Sequence, residues 1–163
     1  MKTMRQIPAF FLAIVMALSL AACGGSGGSE TTVVLRGDMT DAMGGVPTTD
    51  TWTITANGDV VKTLKEVVEY DLSEFDSATQ AEFDAMIEGL LVDPANAISG
   101  ISCTSKMSGS TYTIELTVNC SGDTVKEAVA AGILTLEGDS SNDKLSLKLT
   151  QAALEKQGYE VVK

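Results

Sequence analysis

The stretch DTWTITANGDVVKTLKEVVEY, residues 50–70, decides the fold of this chain. Trp52 and Ile54 alternate with threonines before Asn57-Gly58, and a second run with apolar residues follows the turn. Asn-Gly between two such runs predicts a β-hairpin, because both residues tolerate the positive φ of a type I′ turn. A hairpin with one apolar face needs a covering layer, so this stretch predicts an antiparallel sheet with one side packed.

The segments that flank this hairpin predict a further strand and a helix. TTVVLRGDM (31–39) is typical of a strand, and DAMGGVPTT (41–49) of a loop. SATQAEFDAMIEGLLVDP (77–94) has apolar residues at helical spacing, and its Ser77 and Gln80 are spaced as a capping box. We expect this helix to end at Asp93-Pro94.

The C-terminal half repeats the pattern of hairpin and helix. ISGISCTSKM and TYTIELTVNC alternate around residues 108–110, and Thr124-x-x-Glu127 opens a short helix that Gly132 closes. KLSLKL (144–149) predicts a strand, and Thr150 is expected to cap a last helix, ended by Gly158 with Tyr159 packing back. The order is β-ββα-ββα-βα. It predicts the α+β class, with a twisted antiparallel sheet and helices packed on one face.

The first 22 residues have the layout of a signal peptide. Lys2 and Arg5 precede an apolar run that ends in small residues. A permanent span is the weaker interpretation, because the run is shorter than the roughly 20 apolar residues of a membrane-spanning helix. Leu20-Ala21-Ala22-Cys23 resembles the bacterial lipobox, which implies that Cys23 becomes a lipidated N-terminus. The alternative is an ordinary secretory peptide cut near Ala22.

The rest of the chain divides into a tether and one domain. Residues 23–30 comprise Cys23 and a Gly/Ser-rich linker, and residues 31–163 are long enough to bury a single core. All 22 acidic residues but only nine of the 11 basic residues lie beyond the signal peptide, which gives the mature chain a net charge of −13. This charge disfavours nucleic acid and anionic lipid headgroups as partners. We expect the domain on the extracytoplasmic side of the cell membrane, held there by lipid on Cys23.

The two other cysteines lie in the second hairpin. If Met107 pairs with Tyr112, the alternation puts Cys103 opposite a residue four positions before Cys120. At about 3.4 Å per residue, this offset exceeds the roughly 4.4–6.8 Å between the Cα atoms of a disulfide. We therefore expect Cys103 and Cys120 to be reduced and buried on the core face. A disulfide needs a bulge or a sharp bend near the end of the hairpin.

The absence of histidine from the chain limits its chemistry. It excludes hydrolases that use Ser-His or Cys-His and removes the usual metal ligand. Neither a GxSxG motif nor a P-loop is present. We predict no catalytic residues, no cofactor and no metal site.

Three groups of side chains were weighed against this prediction. The carboxylates of EVVEYDLSEFD could act as acid and base in catalysis. We favour the simpler interpretation that they lie in solvent, at the end of a strand and the start of a helix. GDSSND lacks the ligand order of an EF-hand, and the methionines are better explained as core filling than as a copper site. The residues concerned are Glu66, Glu69, Asp71, Glu74 and Asp76; Asp139, Asn142 and Asp143; and Met39, Met43, Met86 and Met107.

The order of these features resembles the YehR-like family of bacterial lipoproteins. The matching segments are LAACG, TITANGDVVKTL, Tyr70-Asp71-Leu72, GISCTSKM, TYTIELTVNC and LEKQGYEV. The resemblance covers most of residues 50–163 and implies a lipoprotein with this fold, but it supplies no functional residues. The chain departs from the family pattern at the end of the second hairpin, where Asn119 and Cys120 replace an acidic-aromatic pair.

The sequence thus predicts a membrane-tethered, non-catalytic envelope lipoprotein that binds a partner protein or a small ligand. Two alternatives remain, an envelope hydrolase that uses only carboxylates and a purely structural surface protein. Two facing carboxylates in an aromatic-rimmed cleft favour the hydrolase. An exposed apolar groove or an open sheet face favours binding.

Overall fold

The computed structural model describes residues 29–137 and 144–162, together with the backbone of residues 17–19. The strands are β1 Ala17–Ser19, β2 Glu30–Asp38, β3 Thr48–Asn57, β4 Val60–Asp71, β5 Ile101–Ser108, β6 Thr111–Asn119, β7 Thr135–Glu137 and β8 Glu160–Val161. The helices are α1 Ser77–Ile87, α2 Asp93–Asn96, α3 Gly122–Ala130 and α4 Leu147–Lys156, with a π-helical segment, Glu88–Val92, between α1 and α2. The predicted α+β class is confirmed.

Six strands form one open antiparallel sheet in the order β5-β6-β4-β3-β2-β8. The predicted hairpin, β3 with β4, lies at its centre, but its loop is one residue later than expected. Asn57 pairs with Val60, which leaves Gly58 and Asp59 as the loop. Among the described residues only glycines have positive φ, and Gly58 has φ +61°. This pattern fits a type II′ turn rather than the predicted type I′ turn.

The helices cover one face of the sheet and complete the core. The inward side chains of β3, β4 and β6 are buried at alternate positions, as the sequence predicted. Phe83 of α1 inserts between Tyr70 and Tyr112 of the sheet, with edge-to-face ring contacts at 5.4 and 5.0 Å. Each fully buried large apolar side chain contributes about 1.5–3 kcal/mol to stability. Further members of this core are Leu35, Trp52, Ile54, Leu64, Val68, Ile114, Leu116, Val118 and Leu154.

Helix α1 begins as predicted but is capped differently. The side chain of Asp76 accepts a hydrogen bond from the backbone N–H of Thr79 at 2.8 Å, so Asp76 is the N-cap. The side-chain amide of Gln80 donates to the carbonyl oxygens of Leu72 and Phe75, both at 3.0 Å. The predicted capping box of Ser77 and Gln80 is therefore wrong. Aspartate is as good a cap as serine, and here it lies one residue earlier.

The chain does not leave the helix at Asp93-Pro94. It passes through the π-helical segment into α2, because Pro94 lies in the first turn of α2, where its missing N–H is not needed. Asn96 at the end of α2 then binds the free edge of β5. Its side chain donates to the carbonyl oxygen of Cys103 and accepts from the N–H of Cys103, both at 2.8 Å. This contact satisfies backbone groups that an edge strand leaves exposed.

The second hairpin has the predicted register. Met107 pairs with Tyr112, and Cys103 pairs with Leu116. Both cysteines are free, with Cys103 buried and Cys120 half-buried. The register argument against a disulfide is confirmed, while Cys120 is less buried than expected because it lies beyond the end of β6.

Two reactive thiols are expected when the mature protein is denatured without a reductant. In the native protein both thiols should react slowly with a maleimide. Burial raises the pKa of Cys103 to about 11, and burial raises the pKa of Cys120 to about 12. Little thiolate is then present at neutral pH. Thiol titration with and without denaturant measures both expectations, and no thiols after denaturation would show a disulfide.

The segment 144–149 is not the predicted strand. Leu147 begins α4, and the side chain of Ser146, rather than Thr150, caps it by accepting from the N–H of Leu149 at 3.3 Å. The leucine alternation misled the prediction because Leu149 is exposed. Burial instead follows the helical spacing of Leu147, Thr150 and Leu154.

The remaining helix ends agree with the sequence only in part. α3 begins at Gly122 after the N-cap Ser121, earlier than the predicted start at Thr124. The Thr124 hydroxyl instead donates to the carbonyl oxygen of Ser99 at 3.1 Å. At the end of α4, Gly158 has φ +95° and the N–H of Tyr159 returns to the carbonyl oxygen of Leu154 at 3.1 Å. The predicted stop at Gly158 is confirmed, with Tyr159 buried.

A second, two-stranded sheet was not predicted. Ala17–Ser19 pairs in parallel with Thr135–Glu137. Cys23 and the rest of the predicted signal peptide and tether, up to residue 28, lie outside the described residues. Within the described residues, every helix is too short or too polar to cross a bilayer.

Candidate functional site

The outer face of the main sheet is open and rich in threonine. The outward side chains of β2 to β6 are all exposed or half-buried, in contrast to the buried inner face. We call this surface the threonine face, defined by the outward residues of β2, β3, β4, β5 and β6. Its threonines are Thr32, Thr49, Thr51, Thr53, Thr55, Thr63, Thr104, Thr111, Thr113 and Thr117.

Strand register intersperses these threonines with charged and apolar side chains across the sheet. Thr53 at the centre lies between Val34 of β2 and Lys65 of β4. Lys65 in turn lies beside Thr117 of β6. A threonine hydroxyl both donates and accepts hydrogen bonds, so each threonine offers a polar contact without a fixed charge. Val34 and Val67 add apolar surface at the centre of this face.

The threonine face carries charges of both signs. Its basic residues include Arg36, Lys65 and Lys106, and Lys65 makes an ion pair of 2.9 Å with Glu115. Both partners are more than 40% exposed, so the pair contributes at most about 1 kcal/mol. Glu69 is also exposed on this face. Acidic residues also lie at further outward positions, Glu30, Asp38 and Asp71, so the charges of the face are mixed rather than basic.

A buried pair of acidic side chains lies on the opposite face of the same hairpin. Asp50 is 3% exposed and Glu66 is 2% exposed. In the β3–β4 register, Glu66 pairs with Trp52, so Asp50 is its diagonal neighbour on the inner face. This pair was missed by the sequence analysis, which placed Glu66 on a solvated strand. The sequence did indicate this position, because Glu66 alternates along β4 with Leu64 and Val68, which face the core.

Two buried donors bind one oxygen of Asp50. The indole Nε1 of Trp52 donates to Asp50 Oδ2 at 3.0 Å, and the Tyr159 hydroxyl donates to the same atom at 2.6 Å. Asp50 Oδ1 and Glu66 Oε1 receive no hydrogen bond from any other side chain or backbone group. The two carboxyl groups are therefore adjacent inside the core. Two ionised carboxylates side by side in a buried site repel each other, so one of them carries a proton.

The donors that bind Asp50 assign that proton to Glu66. Burial raises the pKa of both carboxyl groups, and for Glu66 the charge of the neighbouring Asp50 raises the pKa further. The hydrogen bonds from Tyr159 and Trp52 lower the pKa of Asp50 and so favour its ionised form. Burial and the nearby charge of Asp50 also raise the pKa of Tyr159, which stays a donor. The cluster is a neutral acid, a carboxylate and two donors.

The other acidic residues weighed in the sequence do not join this pair. Glu69 is on the threonine face, and Glu74 is exposed. Asp71 accepts from the N–H of Ser73 at 2.9 Å, and Asp76 caps α1. These backbone hydrogen bonds lower the pKa of both aspartates. Their roles are local turns and caps, as expected for a strand end and a helix entry.

The residues weighed as metal ligands are dispersed or lie outside the described residues. Met43 is buried, and Met39, Met86 and Met107 pack partly buried against the core. Within the described residues, no three or more cysteine or carboxylate side chains are placed to hold a metal ion. Asp139, Asn142 and Asp143 are among the residues that the structure does not describe.

Comparison with solved structures places this architecture among known folds. The NMR structure of YehR from Escherichia coli superposes with a TM-score of 0.61 at 13% identity, over 84% of this chain and 94% of that chain. The chain has a YehR-like fold. An NMR structure of a protein from Streptococcus pneumoniae TIGR4 also matches, with a TM-score of 0.50 at 14% identity over 90% of this chain and 92% of the other. No family model and no curated protein sequence matches the chain.

Proposed function

We propose that this chain is a YehR-like envelope lipoprotein, tethered to the membrane by Cys23, that binds a partner protein through its threonine face. The observation that carries the proposal is the open outer face of a sheet whose other face is covered by the helices. Five neighbouring strands about 4.8 Å apart and about eight residues long give a surface of roughly 600 Å². This is close to the roughly 800 Å² that each partner contributes to a standard protein interface.

The shape of the surface favours a protein over a small ligand. Small ligands are held in concave sites that bury most of their surface, whereas the threonine face is one side of an open sheet. Threonines with interspersed Val34, Val67 and Lys65 give the face both polar and apolar area, as protein interfaces have. A Gly/Ser tether also suits this function, because it lets a membrane-held domain reorient toward its partner.

The arrangement of the two carboxyl groups argues against the alternative of a carboxylate-dependent hydrolase. Asp50 and Glu66 face each other as such an enzyme requires, but both are almost completely buried. Retaining glycosidases separate their carboxyl groups by about 5 Å and inverting ones by more, with the substrate between them. Here the two groups are neighbours inside the core, and Asp50 is hydrogen-bonded to Tyr159. We therefore assign the pair a structural role.

A variant pair tests binding through the threonine face. Thr53→Glu puts a charge and extra volume at the centre of the face, where Lys65 can pair with it. Ala81→Glu adds the same side chain to an exposed position in the N-terminal half of α1, on the helical side of the domain. We expect affinity capture of the lipidated protein from its own membranes to enrich a protein with wild type and with Ala81→Glu, and to lose it with Thr53→Glu. Equal capture by both variants, or no specific protein with wild type, contradicts the proposal; the second outcome favours a structural role.

The tether has a test of its own. Cys23→Ala is expected to leave an unprocessed precursor or to release the protein from the membrane fraction, because the linker after residue 23 has no apolar anchor. Cell fractionation followed by mass measurement of the N-terminus distinguishes these outcomes. Processed protein that still pellets with membranes would contradict lipidation at Cys23.

A further inference from the structure

The C-terminal end of the chain is held to the core through one side chain. After α4, Tyr159 turns inward and is 3% exposed, and its hydroxyl reaches Asp50 at 2.6 Å. The two residues of β8 then pair with Leu35 and Arg36 of β2. The valines beyond Tyr159 add little burial, since Val161 is 42% and Val162 is 49% exposed. Tyr159 is therefore the main buried anchor of this segment.

The position of Tyr159 is fixed by a close contact with β2. A Cβ atom built on Gly37 lies 2.9 Å from ring atoms of Tyr159, closer than real Cβ atoms approach. Glycine at this position lets the ring lie directly on the strand and direct its hydroxyl to Asp50. Met39 Sδ lies 3.4 Å from the same hydroxyl. The ring thus lies between β2 and the carboxyl pair.

We propose that a proton controls the C-terminal segment made of Tyr159 and β8. The segment stays packed against β2 while Asp50 and Glu66 share one proton, and it detaches when that proton is lost to solvent. We call this segment the clasp. Loss of the proton leaves two negative charges on neighbouring side chains inside the core. Like charges on neighbouring side chains in a buried site repel each other strongly. The repulsion is relieved when water reaches the pair.

The groups that face the pair offer no compensating charge. From β3 the pair is faced by Trp52, from β4 by Tyr70, from β5 by Cys103 and from the C-terminal segment by Tyr159. Three of these four are weak acids, and the fourth is a neutral donor. Within the described residues, no lysine or arginine is among the groups that shift the pKa of either carboxyl group.

The C-terminal segment is the part of the domain that we expect to open at the lowest free-energy cost. β8 has two residues, whereas every other strand of the main sheet has at least eight. Local opening is least costly where few apolar contacts and few backbone hydrogen bonds are lost. Release of Tyr159 and β8 frees the backbone of β2 at Val34, whose carbonyl oxygen accepts from the N–H of Val162 at 2.8 Å. A freed edge of this kind can pair with an extended segment of another protein.

Hydrogen exchange at the amides of Tyr159 and Val162 tests the clasp. In the wild type their protection factors, corrected for intrinsic exchange, should fall about tenfold or more between about pH 5 and about pH 8, because each unit of pKa elevation corresponds to a factor of ten in the opening equilibrium. Amides at the centre of β4 and β6 should keep their protection. Emission of Trp52, the sole tryptophan of the chain, should change over the same pH range, since its indole is bonded to Asp50.

Two variants and a control complete the test. Glu66→Gln keeps a donor to Asp50 but cannot ionise, so the protection of Val162 should become independent of pH; Glu69→Gln, on the exposed face of the same strand, should behave as wild type. Tyr159→Phe removes the hydroxyl and should leave Val162 weakly protected at both pH values. The clasp is refuted by constant protection in the wild type, by an equal fall in Glu66→Gln, or by simultaneous loss of protection across the whole sheet. If Glu66→Gln does not fold, strong protection of Val162 in Tyr159→Phe refutes it.

Discussion

Asp50→Ala is expected to lower the free energy of unfolding by about 2–6 kcal/mol. The substitution leaves two buried donors, Trp52 Nε1 and the Tyr159 hydroxyl, without their acceptor. Each buried donor that loses its partner costs about 1–3 kcal/mol. Urea unfolding followed by the fluorescence of Trp52 measures the change.

Asp41→Ala is the matched control for this substitution. Asp41 lies in an exposed turn between β2 and β3, and its replacement should change stability by no more than about 0.5 kcal/mol. A loss of less than about 1 kcal/mol in Asp50→Ala would mean that the buried cluster is not organised around Asp50. It would also remove the anchor assigned to Tyr159.

The stability of the wild type is expected to fall as the pH rises above about 4.5. Folding raises the pKa of Glu66 well above its ordinary value of 4.5 and also raises that of Asp50. A carboxyl group whose pKa is raised by folding binds its proton more tightly in the native state. Its contribution is fully present below the ordinary pKa and is lost as the pH rises through the raised pKa, by about 1.4 kcal/mol per unit of elevation.

Glu66→Gln should flatten this dependence and be the more stable protein at neutral pH. The exposed carboxylates of Asp71 and Asp76, whose pKa values are lowered, act in the opposite direction, because their contribution is lost as the pH falls toward and below their ordinary value of 3.8. The stabilities of the wild type and Glu66→Gln should therefore be compared above about pH 5. Thermal unfolding of both proteins across this range measures it. Parallel curves for wild type and Glu66→Gln would show that Glu66 does not carry the buried proton.

The sequence predicted the parts of the fold that depend on local patterns. Alternation of apolar and polar residues gave both hairpins, and register counting gave the pairing of Cys103 with Leu116. The secondary structure was predicted wrongly where a strand period and a helix period both fit the same residues. Leu145, Leu147 and Leu149 alternate as in a strand, but the residues after them continue with helical spacing, and packing of α4 decided the outcome. The short strands β7 and β8 had too few residues to show any period.

The two candidate sites differ in how far the sequence could reveal them. The threonines of β3 alternate with its core residues, so the open face was visible as half of the same pattern that predicted the hairpin. The carboxyl pair needed the register of β3 against β4, together with a tyrosine 109 residues away from Asp50. No local pattern links Tyr159 to Asp50. A charged residue in phase with core residues is nevertheless a signal, and Glu66 should have been assigned to the inner face for that reason.

The most direct test of binding through the threonine face is site-specific photo-crosslinking in the producing cells. A photo-reactive amino acid at position 53 lies at the centre of the face, and one at position 81 lies on the helical side of the domain. We predict that lipidated protein carrying the probe at position 53 forms a discrete adduct with one protein, and that the probe at position 81 does not. Adducts of the same kind from both positions, or none from position 53, would contradict the proposed interface.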